Sequence, residues 1–194
     1  MSLIHLVDDD IAVTDACRFL LESLGYKVKV WHEGDRFLAQ ADLYQPGVVL
    51  LDIRMPLLDG TEVYARMRQL NSTLAVIFLT AHGEVPQAVE QMKLGAVDFL
   101  QKPVATAPLI AALQQGLVQS EQLVTRRQVQ LRYASLTPRE QMIAQWVMQG
   151  LINRDIADRA CVSVRTVEVH RAKVTEKMAV NSLAELVSLL NPIK

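Results

Sequence analysis

The chain has 194 residues, 51% of them hydrophobic and 21% charged, with a formal net charge of −1. This composition supports one large or two small packed domains and argues against a disordered or fibrous chain. No apolar run approaches the roughly 20 residues of a membrane helix, the start Met1–His5 lacks the basic, then apolar, pattern of a signal peptide, and Cys17 and Cys161 lie too far apart to suggest a disulfide framework or zinc spacing. The expectation is a protein of the reducing cytoplasm without a membrane partner.

Strand-length apolar runs come first, at Leu3 to Val7, Val28 to Trp31, Val48 to Leu51, Ala75 to Leu79 and Val97 to Leu100. Between the first two, Val13, Cys17, Leu20, Leu21 and Leu24 keep a helical spacing that Gly25 ends. Weaker helical patterns cover Arg36 to Leu43, Glu62 to Leu70 and Pro86 to Leu94, the last ended by Gly95. Apolar strands alternating with helices predict a doubly wound parallel sheet covered on both faces, its chemistry beyond the strands' carboxyl ends.

From Thr106 the pattern becomes one long helix, with Leu109, Leu113, Leu117, Val124 and Leu131 at helical or heptad-like offsets and Gly116 as its interior weak point. The spacing predicts that it starts as the last helix of the first domain and continues as a linker. Thr137, Pro138 and Glu140 then read as N-cap, first helical residue and capping-box partner of a new helix. The domains are therefore drawn as 1–120, a helical linker 121–134, and 135–194. Through residue 120 nine Lys and Arg stand against fourteen Asp and Glu; from Glu121 onward eleven stand against seven. An acidic front and a mildly basic back suit two functions, the second compatible with phosphate backbones.

Asp8, Asp9 and Asp10 follow the first strand, Asp52 ends the third, Thr80 the fourth, and Lys102-Pro103 follows the fifth. In a parallel sheet all of these arrive at one edge. Clustered carboxylates repel one another unless a cation intervenes, and Mg²⁺ suits an all-oxygen, partly hydrated site. A hydroxyl and an ammonium beside them supply the donor and countercharge that a phosphoryl group on Asp52 requires. Acidic residues at strand ends are often solvated turn residues; the joint occurrence after four strands carries the functional reading. The sequence has neither a Walker A segment nor a dinucleotide glycine fingerprint.

The pair Asp8-Asp9, the segment Asp52-Ile53-Arg54-Met55-Pro56-Leu57-Leu58-Asp59-Gly60, the run Thr80-Ala81-His82-Gly83, and Phe99 three residues before Lys102 together resemble the receiver domains of two-component systems over residues 1–120. The resemblance implies a strand order of 2-1-3-4-5 and phosphorylation of Asp52 by a sensor histidine kinase. It implies Mg²⁺ bound directly by Asp9 and Asp52, through water by Asp8, and by the carbonyl of Arg54. Thr80 and Lys102 would contact the phosphoryl oxygens, with Thr80 and Phe99 as switch residues. Leu57-Leu58 is an unusually apolar turn for such a site, read as packed against the following crossover, with a kinase-docking contact as the alternative.

Beyond the capping box, Ile143, Trp146 and Val147 give a short helix a buried face that ends at Gly150. Asn153 is read as the cap of a second helix bearing Ile156 and Ala157, and Ser163 as the cap of a third, Val164 to Met178. On a 100° wheel Val167, Val174 and Met178 fall together, while Arg165, Val169, Ala172, Lys173 and Glu176 lie opposite, with Glu168 on the flank. Leu183, Leu186, Val187 and Leu190 mark a fourth helix, a candidate for pairing with its copy. A short helix, a turn and a longer helix with an open face suit insertion into the major groove.

Residues 136–190 resemble the LuxR-type helix-turn-helix, and Val162 to Ala172 resemble the recognition segment of the FixJ subfamily. The resemblance implies a small all-α DNA-binding domain with Glu168, Val169 and Ala172 facing the groove. Glu168 would accept from cytosine N4, and Val169 or Ala172 would touch a thymine methyl. Arg165, Arg171 and Lys173 read as phosphate contacts, with Thr166 among the DNA-binding residues, and His170 as structural. Many such domains carry Gly where Cys161 stands, a position suited to positive φ.

The expected protein is a non-enzymatic transcriptional regulator. Phosphorylation of Asp52 would promote a homodimer on a double-stranded DNA operator, with RNA polymerase as a further partner. The rival readings are an aspartyl-phosphate phosphatase and a phosphorelay carrier with a protein-interaction module. The first usually needs an acid two residues after its nucleophile, where this chain has Arg54.

Overall fold

The computed structural model describes residues 3–81 and 85–190, without the side chains of Val85 and Leu183. His82 and Gly83 of the Thr80 segment lie outside the described residues. The chain divides into two units, 1–124 and 125–194, taken here separately.

The first unit alternates strands and helices: β1 (Leu3–Val7), α1 (Ile11–Ser23), β2 (Lys27–Trp31), α2 (Gly34–Gln40), β3 (Gly47–Asp52), α3 (Gly60–Gln69), β4 (Ala75–Thr80), α4 (Val85–Lys93) and β5 (Asp98–Gln101). The strands are parallel in the order β2-β1-β3-β4-β5. β3 and β4 are buried at every residue, which is why they read as unbroken apolar runs. β2, at the edge, is not apolar throughout, because Lys27 and Lys29 face solvent while Trp31 is buried.

Successive residues of each strand face opposite layers. Val7, Val49, Leu51, Val76 and Phe78 meet Phe37, Val63, Tyr64 and Met67 on one side. Ile4, Leu6, Val48, Leu50 and Ile77 meet Cys17, Leu21, Leu109 and Leu113 on the other. The expected first helix ends as read, with Gly25 at φ +87°.

α5 runs unbroken from Thr106 to Ala134, as the long helical pattern predicts. Gly116 does not weaken it without return: a β-carbon there would come within 2.9 Å of Val48 Cγ2, so glycine lets the helix lie close to the sheet. The heptad reading fails at its far end. Leu131 is 56% exposed, whereas Val129, about 140° around the helix from Val124 at 3.6 residues per turn, is buried in the second unit's core, so a different face of the helix is buried there.

The second unit continues with α6 (Pro138–Met148), α7 (Asn153–Ala160), α8 (Val164–Met178) and α9 (Leu183–Leu190). The capping box of Thr137 and Glu140 forms as read, and Ser163 caps α8. Asn153 does not cap α7. It is that helix's first residue, preceded by Ile152, whose side chain has no acceptor to offer as a cap, and the Asn153 side-chain oxygen instead accepts from Arg171. Ile143, Val147, Ile156, Val167, Val174, Met178, Leu186 and Leu190 share one core.

Candidate functional site

The carboxyl ends of β1, β3, β4 and β5 deliver Asp8, Asp52, Thr80 and Lys102 to one edge of the sheet. Asp52 is the last residue of β3 and is buried, as is Asp8 one residue beyond β1. Lys102 Nζ lies 2.6 Å from Asp52 Oδ1 and 2.6 Å from Asp8 Oδ2. Burial alone would lower the Lys102 ammonium, but hydrogen bonds to Asp52 and Asp8 outweigh it and hold its pKa above the ordinary value. The Lys102 amide also donates to the Thr80 carbonyl at 2.8 Å, tying the two strand ends together.

One carboxylate oxygen each of Asp8, Asp9 and Asp52 lies within 4.8 Å of the others, with Asp9 exposed. Three hard oxygen donors at this spacing fit a small divalent cation. The Thr80 hydroxyl is fully buried and has no hydrogen-bond partner among the described residues, so a donor stands ready at the same sheet edge. Phe99 is half-buried against the core on the α2–α3 side. Arg54 is exposed, directly after Ile53.

The glycine of the Asp59-Gly60 motif has a steric reason. A β-carbon on Gly60 would fall 2.0 Å from the Asp52 carbonyl oxygen, while the Gly60 amide donates to the Ile53 carbonyl at 2.9 Å. Asp59 caps α3 in a capping box with Glu62, so the loop after Asp52 is anchored at both ends.

The three consecutive aspartates divide their labour. Asp10 is the N-cap of α1, accepting from the Ala12 amide at 2.9 Å, and its own amide donates to Asp8 Oδ1 at 3.0 Å. His32 was not anticipated: its Nδ1–H donates to the Asp8 carbonyl at 3.1 Å, while the Asp8 amide donates to Trp31. Both contacts come from the end of β2, and only its place beside β1 could have signalled them. The two leucines of the apolar turn part company. Leu58 is buried, but Leu57 is 91% exposed with φ +68°, so the expectation that both pack against the crossover is corrected.

In the second unit α8 presents Arg165, Glu168, Val169, Ala172 and Lys173 to solvent, the face expected from the wheel. Thr166 is half-buried, its hydroxyl 2.8 Å from Ser163 Oγ. Arg171 is half-buried with its guanidinium donating to Asn153 Oδ1. His170 is half-buried, consistent with a structural place. At the far end of α8, Lys177 Nζ donates to Glu140 Oε2 at 2.7 Å. That bond, with the Thr137 amide, pulls the buried Glu140 carboxyl down to about 2. Cys161 ends α7 in the left-handed region at φ 53°, with its side chain exposed.

Comparison with known families places the description "Response regulator receiver domain" on residues 4–114 and "Bacterial regulatory proteins, luxR family" on residues 134–190. The chain is 62% identical to the tetrathionate response regulatory protein TtrR of Salmonella typhimurium, covering 96% of this chain and 91% of that protein. It is 42% identical to the transcriptional regulatory protein FixJ of Bradyrhizobium diazoefficiens, covering 96% and 93%. Among solved structures, the response regulator StyR superposes with a TM-score of 0.70 at 36% identity, covering 98% of each chain. Full-length FixJ from B. japonicum gives 0.60 at 41% identity, covering 97% and 95%.

Proposed function

The chain belongs to the response regulators that join a receiver domain to a LuxR-type DNA-binding domain, and from that premise we propose that Asp52 is the residue whose phosphorylation switches it. A phosphorylation-dependent transcriptional regulator needs an acceptor carboxylate, a countercharge and a hydrogen-bond donor at one place. The observation that carries the assignment is Lys102 Nζ at 2.6 Å from Asp52, with the unpartnered Thr80 hydroxyl buried at the same edge.

An Asp52 carboxylate oxygen attacks the phosphorus of the histidine kinase's phosphohistidine, forming the O–P bond as the P–N bond breaks. Lys102 supplies positive charge to the phosphoryl oxygens and Thr80 donates to one of them. Asp8, Asp9 and Asp52, with the Arg54 carbonyl, are the ligands proposed for Mg²⁺, which when bound neutralises charge on the transferring group. Thr80, drawn toward the new oxygens, and Phe99 carry the change to the receiver's surface. The domain limits 1–120, 121–134 and 135–194 are retained as functional limits.

Phosphorylation acts on an equilibrium between receiver states that favours a homodimer when shifted. Moving it from mostly inactive to mostly active needs about 5.5 kcal/mol of differential interaction. The dimer places two copies of α8 on half-sites of an operator, where linking two weak contacts strengthens both. Glu168, Val169 and Ala172 read bases; Arg165, Thr166 and Lys173 hold the backbone, and RNA polymerase is the further partner. Enzymatic turnover is disfavoured because Arg54 stands where a phosphatase of this kind needs its second acid. Among the described residues no helix is long and apolar enough to cross a membrane, and we place the protein in the cytoplasm.

The 62% identity to a tetrathionate response regulatory protein supports tetrathionate as the stimulus of the partner kinase. Genome-wide capture of DNA fragments by the full chain, with and without phosphodonor, tests the reading. A defined set enriched only with phosphodonor is expected; the same fragments captured equally in both states would contradict it.

A further inference from the structure

Arg171 lies midway along α8, on the edge between its buried and open faces. Its guanidinium donates to Asn153 Oδ1, at the first residue of α7. Burial pushes the guanidinium pKa down, as for a cation partly withdrawn from water. α7 starts without a side-chain cap, so the Asn153 amide serves α8 rather than its own helix.

The placement of this bond is what gives it leverage. α7 and α8 meet at the turn through Cys161 and Val162, and both Asn153 and Arg171 lie seven residues from the helix end that enters that turn. At 1.5 Å per residue, each arm is about 10 Å long. The bond therefore spans a triangle with two near-equal arms, on the side opposite the turn. Lengthening that side by about 1 Å rotates one arm against the other by on the order of 5–10°.

We propose that Arg171 is a positioning residue for sequence recognition, which sets through Asn153 the angle at which α8 meets DNA, and that it is not the phosphate contact its charge suggests. The proposal rests on α8 being the helix that enters the groove. A strut of this kind affects which bases Glu168, Val169 and Ala172 reach. It leaves the number of neutralised phosphates unchanged.

The test uses the full chain treated with phosphoramidate and Mg²⁺, and DNA duplexes with a randomised centre, selected by the wild-type chain and sequenced. Affinity for the most enriched duplex divided by affinity for the unselected pool measures discrimination. Asn153→Ala leaves every cation in place and lowers that ratio at least about fivefold, the low end for one lost base contact. Arg171→Ala costs no more once Asn153 is Ala, and the salt slope on the unselected pool stays within about half a unit throughout. Asn153→Asp keeps an acceptor and keeps the ratio, which separates a strut from a general loss of folding.

A salt slope lower by about 0.9 in Arg171→Ala, with discrimination intact in Asn153→Ala, makes Arg171 a phosphate contact and overturns the proposal. Discrimination lost in Glu168→Ala but kept in Asn153→Ala leaves α8 in the groove and removes the strut alone. Discrimination kept in both removes the groove reading and the strut with it.

Discussion

Lys102 donates to Asp52 at 2.6 Å from a position 50 residues further along the chain. The same ammonium is 2.6 Å from Asp8, so one cation offsets two buried carboxylates. Removing one partner of a buried ionic group leaves charge unpaired, at a cost of about 3–5 kcal/mol. Lys102→Met should lower the receiver's melting temperature in EDTA, and Mg²⁺ should restore much of it by taking over the countercharge. Equal melting of variant and wild type in EDTA would show that the ammonium is not what offsets these carboxylates.

The Trp31 indole N–H donates to His5 Nδ1 at 3.0 Å, inside the core formed with Phe37. Burial, with Lys29 adding to it and Asp42 opposing, lowers the His5 pKa to about 4. Protonation would also place an N–H against the indole donor. The unfolded chain binds this proton near its ordinary pKa of 6.5, so stability is full above that value and falls as pH drops toward 4. The loss should be on the order of 2–3 kcal/mol at pH 4. Urea melts of wild type and His5→Phe across this window check it: the variant's curve should be flatter, and parallel curves would remove His5 as the cause.

Cys161 adopts φ 53° and ψ 46° at the end of α7, with the Val162 amide donating back to the Ala157 carbonyl at 3.1 Å. This is the left-handed helix ending that glycine adopts without strain. The thiol is exposed, so removing it opens no void. Cys161→Gly should raise the melting temperature of the DNA-binding domain's transition in the full chain, by a net of about 0.5 kcal/mol or more after unfolded-chain entropy. A lower transition would mean that the side chain packs.

Leu57 combines 91% exposure with φ +68°, two features that work against folding stability. Contact with the kinase would account for keeping a leucine there. Leu57→Gly should stabilise the receiver by up to about 1 kcal/mol and slow phosphotransfer from the partner kinase. Labelling by acetyl phosphate should not change. Unaltered transfer from the kinase would leave the leucine without a docking role.

Much of this was legible in the sequence because it is local or periodic. β3 and β4 are buried on both faces, so their apolar runs mark them to within a residue. Thr137 and Glu140 lie three residues apart, and their capping box follows from that spacing. The chemistry at the sheet edge was legible because parallel strands must end together. What escaped depends on partners distant in sequence. Asn153 reads as a cap until Arg171, 18 residues on, is seen to hold its amide. His32 carries no signal of its 24-residue reach to the Asp8 carbonyl. Leu57 and Leu58 are alike in sequence, and only the backbone φ at Leu57 separates an exposed side chain from a buried one.

The central claim is that Asp52 is the phosphorylated residue, and labelling by a small phosphodonor tests it without the kinase. Wild-type chain and Asp52→Asn are incubated with radiolabelled acetyl phosphate in Mg²⁺, and acid-stable but base-labile label is counted on the protein. Wild type should take up label that EDTA prevents, and Asp52→Asn should take up none, because among the described residues no other carboxylate combines a strand end with neighbouring Asp8, Asp9 and Lys102. Undiminished labelling of Asp52→Asn would contradict the account and place the phosphoryl group elsewhere.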